Sequence, residues 1–154
     1  MEIIVKHFNQ LKLDELYGII QLRLEVFVLE QNCPYQDLDG KDPHCYHVIG
    51  KQGEQIVAGS RLVPPGISYD GYSSIGRVVS HKNFRRTGAG KLIMKQSLAY
   101  SESFFPDTAV KISAQSYLIP FYESFGFECM GEEYLEDNIP HTAMIRPSGL
   151  PLPD

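Results

Sequence analysis

The segment Arg85-Arg86-Thr87-Gly88-Ala89-Gly90-Lys91 constrains this chain more than any other stretch. It follows an apolar, strand-like run, Ile75 to Ser80, and opens a helix-like run, Leu92 to Phe105. A Gly-rich turn between a strand and a helix is a phosphate cradle: free backbone N–H groups converge, and the helix dipole adds positive potential. Lys82, Arg85, Arg86 and Lys91 cluster around it in a chain of net charge −5. That local reversal of sign points to an anionic ligand.

The rest of the chain supplies a sheet for this turn to stand on. Glu2 to Phe8, Cys45 to Gly50, Gln55 to Val63, Ser73 to Ser80 and Ala109 to Gln115 read as strands. Leu13 to Leu29 reads as an amphipathic helix, and Tyr117 to Phe125 as a short one stopped by Gly126. The helix after the turn is expected to face the core with Ala89, Leu92, Ile93, Ala99 and Tyr100. Phe127 to Met130 and His141 to Ile145 would close the sheet around an acidic loop, and the Pro-rich tail from Pro147 is expected to fray. The mixed order β α β β β α β α β β predicts a layered α+β domain over residues 1–154.

Composition excludes several classes. The chain is 154 residues long, with room for one solid core. Its acidic balance and the lack of a basic face argue against a nucleic-acid binder. No apolar run reaches the roughly 20 residues of a membrane helix. Cys33, Cys45 and Cys129 are odd in number and form no CxxC, which fits a reducing cytoplasm. No metal is expected. Asp37-x-Asp39-x-x-Asp42 fails the EF-hand pattern, and His44 and His47 on a strand would point to opposite faces.

Position by position, the turn is not a Walker loop, because Arg85 takes the first Gly position and Leu92 replaces the metal-binding hydroxyl. It is not a dinucleotide fingerprint, because Ile93 takes the third Gly position. It does satisfy [Arg/Gln]-x-x-Gly-x-[Gly/Ala]. Together with Phe121-Tyr122-Glu123-Ser124-Phe125-Gly126-Phe127 further on, it resembles the GNAT superfamily of acyl-CoA N-acyltransferases along nearly the whole chain. Leu22 to Tyr35, Asp37 to Asp42 and Tyr134 to His141 are similar to the ElaA group within it.

The resemblance implies a mostly antiparallel twisted sheet of about seven strands with helices on both faces. It implies that Arg85, Arg86, Thr87, Gly88, Ala89, Gly90 and Lys91 hold the pyrophosphate of coenzyme A. Main-chain groups of Val78, Val79 and Ser80 would pair with its pantetheine arm, and Gln115 would contact cofactor or acceptor. Tyr122 shares an apolar stripe with Leu118, Phe121 and Phe125, which by itself reads as core; the resemblance makes it the general acid that protonates the departing thiolate. Glu136, Asp137 and His141 are candidates for the base that deprotonates the acceptor, with a chain of waters as the alternative. Arg23, on an apolar helix face, needs a partner: either Glu30 or one of Asp37, Asp39 and Asp42 in a structural pair, or the carboxylate of an acceptor. Tyr35, Asp39 and Arg77 are further candidate acceptor contacts.

The expected activity is acetyl transfer from acetyl-CoA to a primary amine of a small molecule or peptide, with a homodimer as a further expectation. Two alternatives stand beside it. Arg23-x-x-x-Phe27 and the acidic loop also resemble acyl-homoserine-lactone synthases, although this chain lacks tryptophan. A CoA-binding sensor with no turnover is the other.

Overall fold

The computed structural model describes residues 1–154. Strands β1 (Glu2–His7), β2 (Tyr46–Gln52), β3 (Gln55–Val63) and β4 (Ser74–Ser80) form an antiparallel meander in the order β1-β2-β3-β4. Strands β5 (Val110–Gln115), β6 (Glu128–Glu136) and β7 (Ile139–Arg146) form a second antiparallel sheet in the order β5-β7-β6. The two meet at a single parallel bridge, Ser73 to Val110, tied by Lys111 N–H to Ser73 O at 2.9 Å. Beyond that bridge β4 and β5 part. The expected seven strands are present, joined at one end of a splay and open at the other.

A bulge shapes the splay. Gly59 pairs with Val79 and Arg61 with Gly76, so β4 carries one residue more than β3 between these pairs. Arg77, in that extra span, has φ 50°. A bulge bends its strand and unpairs it locally, and here it turns β4 away from β5.

Helices α1 (Leu13–Arg23) and α2 (Ala89–Phe104) lie on opposite faces of the four-stranded sheet. Successive side chains of a strand point to opposite faces. Ser60 reaches Ser97 of α2 at 2.6 Å, while Arg61 reaches Asp42, the residue that grips Arg23 of α1. The core lies mainly on the α2 side: Val48, Ala58, Leu62, Ile93, Met94, Leu98, Phe125, Phe127 and Met144 are all buried within it. Helix α2 uses a stripe of Ala89, Ile93, Met94, Ser97, Leu98 and Ser101. Leu92 and Ala99, expected inside, are exposed because they fall on the flank of that stripe.

The first helix is not one continuous α-helix. From Leu24 to Glu30 it widens into π turns, with Gln31 N–H bonded to Val26 O and Cys33 N–H to Val28 O. Widened turns shift the facing of later side chains, and they recur at functional sites. Helix α3 (Ile119–Glu123) is preceded by a 3₁₀ turn, Ser116–Leu118. The acidic loop expected between the closing strands is itself strand: β6 runs on to Glu136, and Asp137-Asn138, both at positive φ, make a two-residue hairpin turn. The tail does not fray at once, because Arg146 donates to the carbonyls of Leu150 and Pro151 at 2.8 and 3.0 Å.

Three arginines and three aspartates lock the loop after the π segment. Arg23 Nε donates to Asp37 at 2.9 Å and its Nη1 to Asp42 at 2.7 Å; both partners are buried. Arg61 holds Asp39 and Asp42. Arg77 approaches Asp37 at 2.9 Å and Asp39 at 3.5 Å. Burial opposes ionisation of Asp42, but the hydrogen bonds and charges of Arg23 and Arg61 together outweigh it and keep the carboxyl below the usual carboxylate range. Asp39 is lowered likewise, its burial outweighed by Arg61. Breaking such a pair strands the other charge in the interior. Arg23→Ala should therefore cost roughly 3–5 kcal/mol in urea unfolding. Because Asp39 and Asp42 titrate lower in the folded state, their contribution is present above the unfolded value of about 4 and lost as pH falls below it. A urea midpoint that is flat from pH 6 to 3 would contradict this.

Candidate functional site

The gap between β4 and β5 is a cleft of about 840 Å³. Its walls are the π segment, the bulged end of β4, the Gly-rich turn, the end of β5, the residues before and in α3, and the β6–β7 hairpin.

At one end stands the Gly-rich turn. Gly88 caps α2 with φ 85°, a left-handed conformation that a side chain would strain, and no side chain caps the helix. The first N–H groups of α2 therefore stay free, as a phosphate site needs. Gly90 has helical backbone, and a Cβ built on it would meet nothing within 4 Å. Nothing inside the protein calls for glycine there; the vacant space suits a ligand pressed against the backbone. Arg86 and Lys91 line the same end.

Arg85 is placed differently from the expectation of a free pyrophosphate contact. Its guanidinium forms a two-pronged ion pair with Glu30 of the π segment, with Nη2 at 2.7 Å, and also donates to Ser80 O at 3.1 Å. The side chain thus closes one edge of the cleft, beside Arg86 and Lys91. Val78, Val79 and Ser80 line the adjoining wall, on the edge of β4 that lacks a strand partner.

Tyr122 sits mid-cleft. It is 9% exposed, packed edge-on against Phe121 and Phe127. The ring belongs to the core, and the same residue lines the cleft. Its hydroxyl has no hydrogen-bond partner in the protein. Burial pushes its phenol up to about 12, so it stays protonated at neutral pH.

The far end is built by register. Gln115, His141 and Tyr134 are directly opposite one another across β5, β7 and β6, so they share a face. A wide bulge in β6 between Met130 and Tyr134, with Gly131 at φ 75°, precedes this alignment. His141 Nδ1 donates to Ile139 O at 2.6 Å. This leaves Nε2 facing Glu136 Oε2 at 3.3 Å. Glu136 also lies 3.5 Å from the hydroxyl of Ser113, which bonds Tyr134. Serine and tyrosine at positions 113 and 134 were not singled out in the sequence, since only strand register reveals their meeting.

Of the expected acceptor contacts, Tyr35 and Arg77 line the cleft. Tyr35 donates to Asp37 at 2.8 Å and lies 5.6 Å beneath the Arg77 guanidinium. Arg23 and Asp39 do not line it. Arg23 is saturated by Asp37 and Asp42, and Asp39 by Arg61, so both serve the fold rather than a ligand. Asp37 and Asp42 are buried within this cluster, while Asp39 stays exposed to solvent. Among histidines, cysteines and acidic residues, no group of three is arranged to hold a metal ion. No helix is long and apolar enough to cross a membrane.

Gly88→Val should weaken CoA binding by tenfold or more, since it adds left-handed strain and fills the cradle. Isothermal titration against free CoA checks this; an unchanged Kd would remove the turn from the site.

Known proteins agree with this geometry. Residues 14–146 match the family model for the acetyltransferase (GNAT) domain. ElaA of Escherichia coli K12 is 39% identical over 142 residues, covering 91% of this chain and 92% of ElaA. The crystal structure of Escherichia coli ElaA superposes with a TM-score of 0.87 at 38% identity, over 95% of this chain and 99% of that one. An acyl-CoA N-acyltransferase from Pseudomonas aeruginosa superposes with 0.89 at 42% identity, over 95% and 99%. A CoA-dependent acyl-homoserine lactone synthase, BjaI, reaches 0.78 at 18% identity, over 95% and 82%, which shows a shared fold alone. The chain is thus an acyltransferase and belongs to the GNAT family, as a homologue of ElaA.

Proposed function

We propose that the protein transfers an acetyl group from acetyl-CoA to a primary amine by direct attack in a ternary complex. One observation carries this reading: a largely buried tyrosine with an unpartnered hydroxyl lines the cleft whose one end is an uncapped anion cradle.

The pyrophosphate rests on the main-chain N–H groups from Gly88 to Lys91, with Arg86 and Lys91 adding charge. The pantetheine arm runs along the unpaired edge of β4 past Val78, Val79 and Ser80, as an added strand would. This brings the thioester to Tyr122. Gln115, paired with Gln31 across the cleft at 3.4 Å, flanks the reacting group.

The acceptor arrives as an ammonium ion and first loses a proton to His141 Nε2, which passes it by way of Glu136 to solvent. The amine nitrogen then attacks the acetyl carbonyl, forming the C–N bond and a tetrahedral intermediate. As the C–S bond breaks, the thiolate takes the Tyr122 proton. The second proton lost by nitrogen restores the phenol, so each turnover releases one proton, one CoA thiol and one amide. A phenol held at about 12 remains a donor here, because the same burial makes the departing thiolate more basic. Holding both substrates in one cleft supplies much of the rate. The free edge of β6, exposed at every residue, is the surface we assign to the expected homodimer.

Thiol release from acetyl-CoA against a panel of primary amines tests this reading. Release with at least one amine is expected; CoA binding with no release on any amine would leave a binding module instead. Tyr122→Phe should lower kcat by about 10²-fold or more, with KM for acetyl-CoA and the circular dichroism spectrum unchanged. A folded, fully active variant would remove Tyr122 from the chemistry.

A further inference from the structure

The charges lining the cleft are sorted by position. Four cations line it: Arg77, Arg85, Arg86 and Lys91. Arg85 is neutralised by Glu30, and Arg77 by Asp37 and Asp39. The two left without a carboxylate partner, Arg86 and Lys91, both stand at the Gly-rich turn. Three anions line the cleft: Glu30, Glu136 and Asp137. With Glu30 taken by Arg85, the remaining two stand together at the β6–β7 hairpin, and neither meets an arginine or a lysine. Glu136 contacts only His141 and Ser113. Asp137 bonds through its main-chain oxygen, which accepts from Cys33 Sγ at 3.4 Å, while its carboxylate has no partner.

The cleft is therefore bipolar, cationic where the donor's phosphates would sit and anionic beyond the thioester. The Tyr122 side chain, nine-tenths buried and with an unpartnered hydroxyl, lines the same cleft and points independently to a ligand there. An aromatic ring outside the cleft lining backs His141 at the anionic end. The Tyr134 ring stacks with His141 at 6.2 Å, the two planes 24° apart. Cations are favoured over such rings as well as beside carboxylates. Lys111 of β5 is itself held over the Tyr69 and Tyr72 rings, at 4.7 and 5.6 Å, and forms no ion pair with Glu136.

We infer that the acceptor is a linear diamine or polyamine, whose reacting nitrogen is served by Glu136 and His141 and whose distal ammonium is held by Asp137. An amine carrying a carboxylate at the distal position is rejected, because that group would face Asp137 with no cation available to it. The inference rests on the acetyl-transfer reading for its chemistry but not for its recognition.

Three acceptors of one length separate these: 1,4-diaminobutane, butylamine and 4-aminobutanoate share the nucleophile and differ in distal charge. With acetyl-CoA, kcat/KM should fall in that order, by roughly tenfold or more between the first and last, and the spread should shrink as salt rises. Asp137→Asn keeps a residue suited to the left-handed turn, and should compress the ratio of diamine to aminobutanoate; Glu136→Gln should compress it further. Calorimetric titration of the same three amines into the CoA-loaded protein reads recognition apart from turnover. Preferred binding of the diamine without thiol release would uphold this inference and overturn the transfer reading. Thiol release with 4-aminobutanoate equal to or above the diamine would overturn this inference and leave the transfer reading standing. Equal or absent binding of all three, or an unchanged ratio in Asp137→Asn, would also overturn it.

Discussion

The carboxylate of Asp37 is the point on which the site depends. It is buried, and it receives Arg23 from α1, Tyr35 from the loop and Arg77 from the β4 bulge. A non-glycine residue at positive φ is a cost that surrounding contacts must offset; for Arg77 those contacts are Asp37 and its carbonyl at 2.9 Å. The bulge, in turn, opens β4 from β5 and makes the cleft. One ionic cluster thus links helix, loop and sheet opening.

The opened sheet then sets up two unlike ends. Along one wall the strand leads into an uncapped helix start, where the backbone itself carries positive potential. Along the other, strand register aligns Gln115, His141 and Tyr134. Between them Tyr122 contributes a buried ring to the core and a free hydroxyl to the cleft. Residues at the end of the π segment and just past it cross this gap: Glu30 meets Arg85, Gln31 meets Gln115, and Cys33 meets Asp137. Two other titratable groups stay out of the chemistry by burial, which pushes the Cys45 thiol up to about 11 and keeps His47 neutral.

Much of this was legible in the chain, because local patterns carry it. Gly88 and Gly90 between a strand and a helix mark the cradle, and Phe121 to Phe127 marks the helix bearing Tyr122. Element order followed from periodicity, with errors where periodicity is ambiguous. Leu92 and Ala99 lie one step off the buried stripe of α2. The acidic run before Glu136 looked like a loop because an exposed edge strand has no apolar alternation to show.

What the sequence alone determined was the anion turn, the strand-turn-helix around it and the need of Arg23 for a carboxylate. These depend on neighbours in the chain or on the high cost of an unpaired buried charge. Only the tertiary structure decided which partner Arg23 takes, that Arg85 is tied to Glu30, and that Ser113, Tyr134, Glu136 and His141 meet. Apart from those that His141 makes across its own hairpin, these contacts join residues 14 to 55 positions apart, and strand register and the β4 bulge fix them, neither of which leaves a local signature.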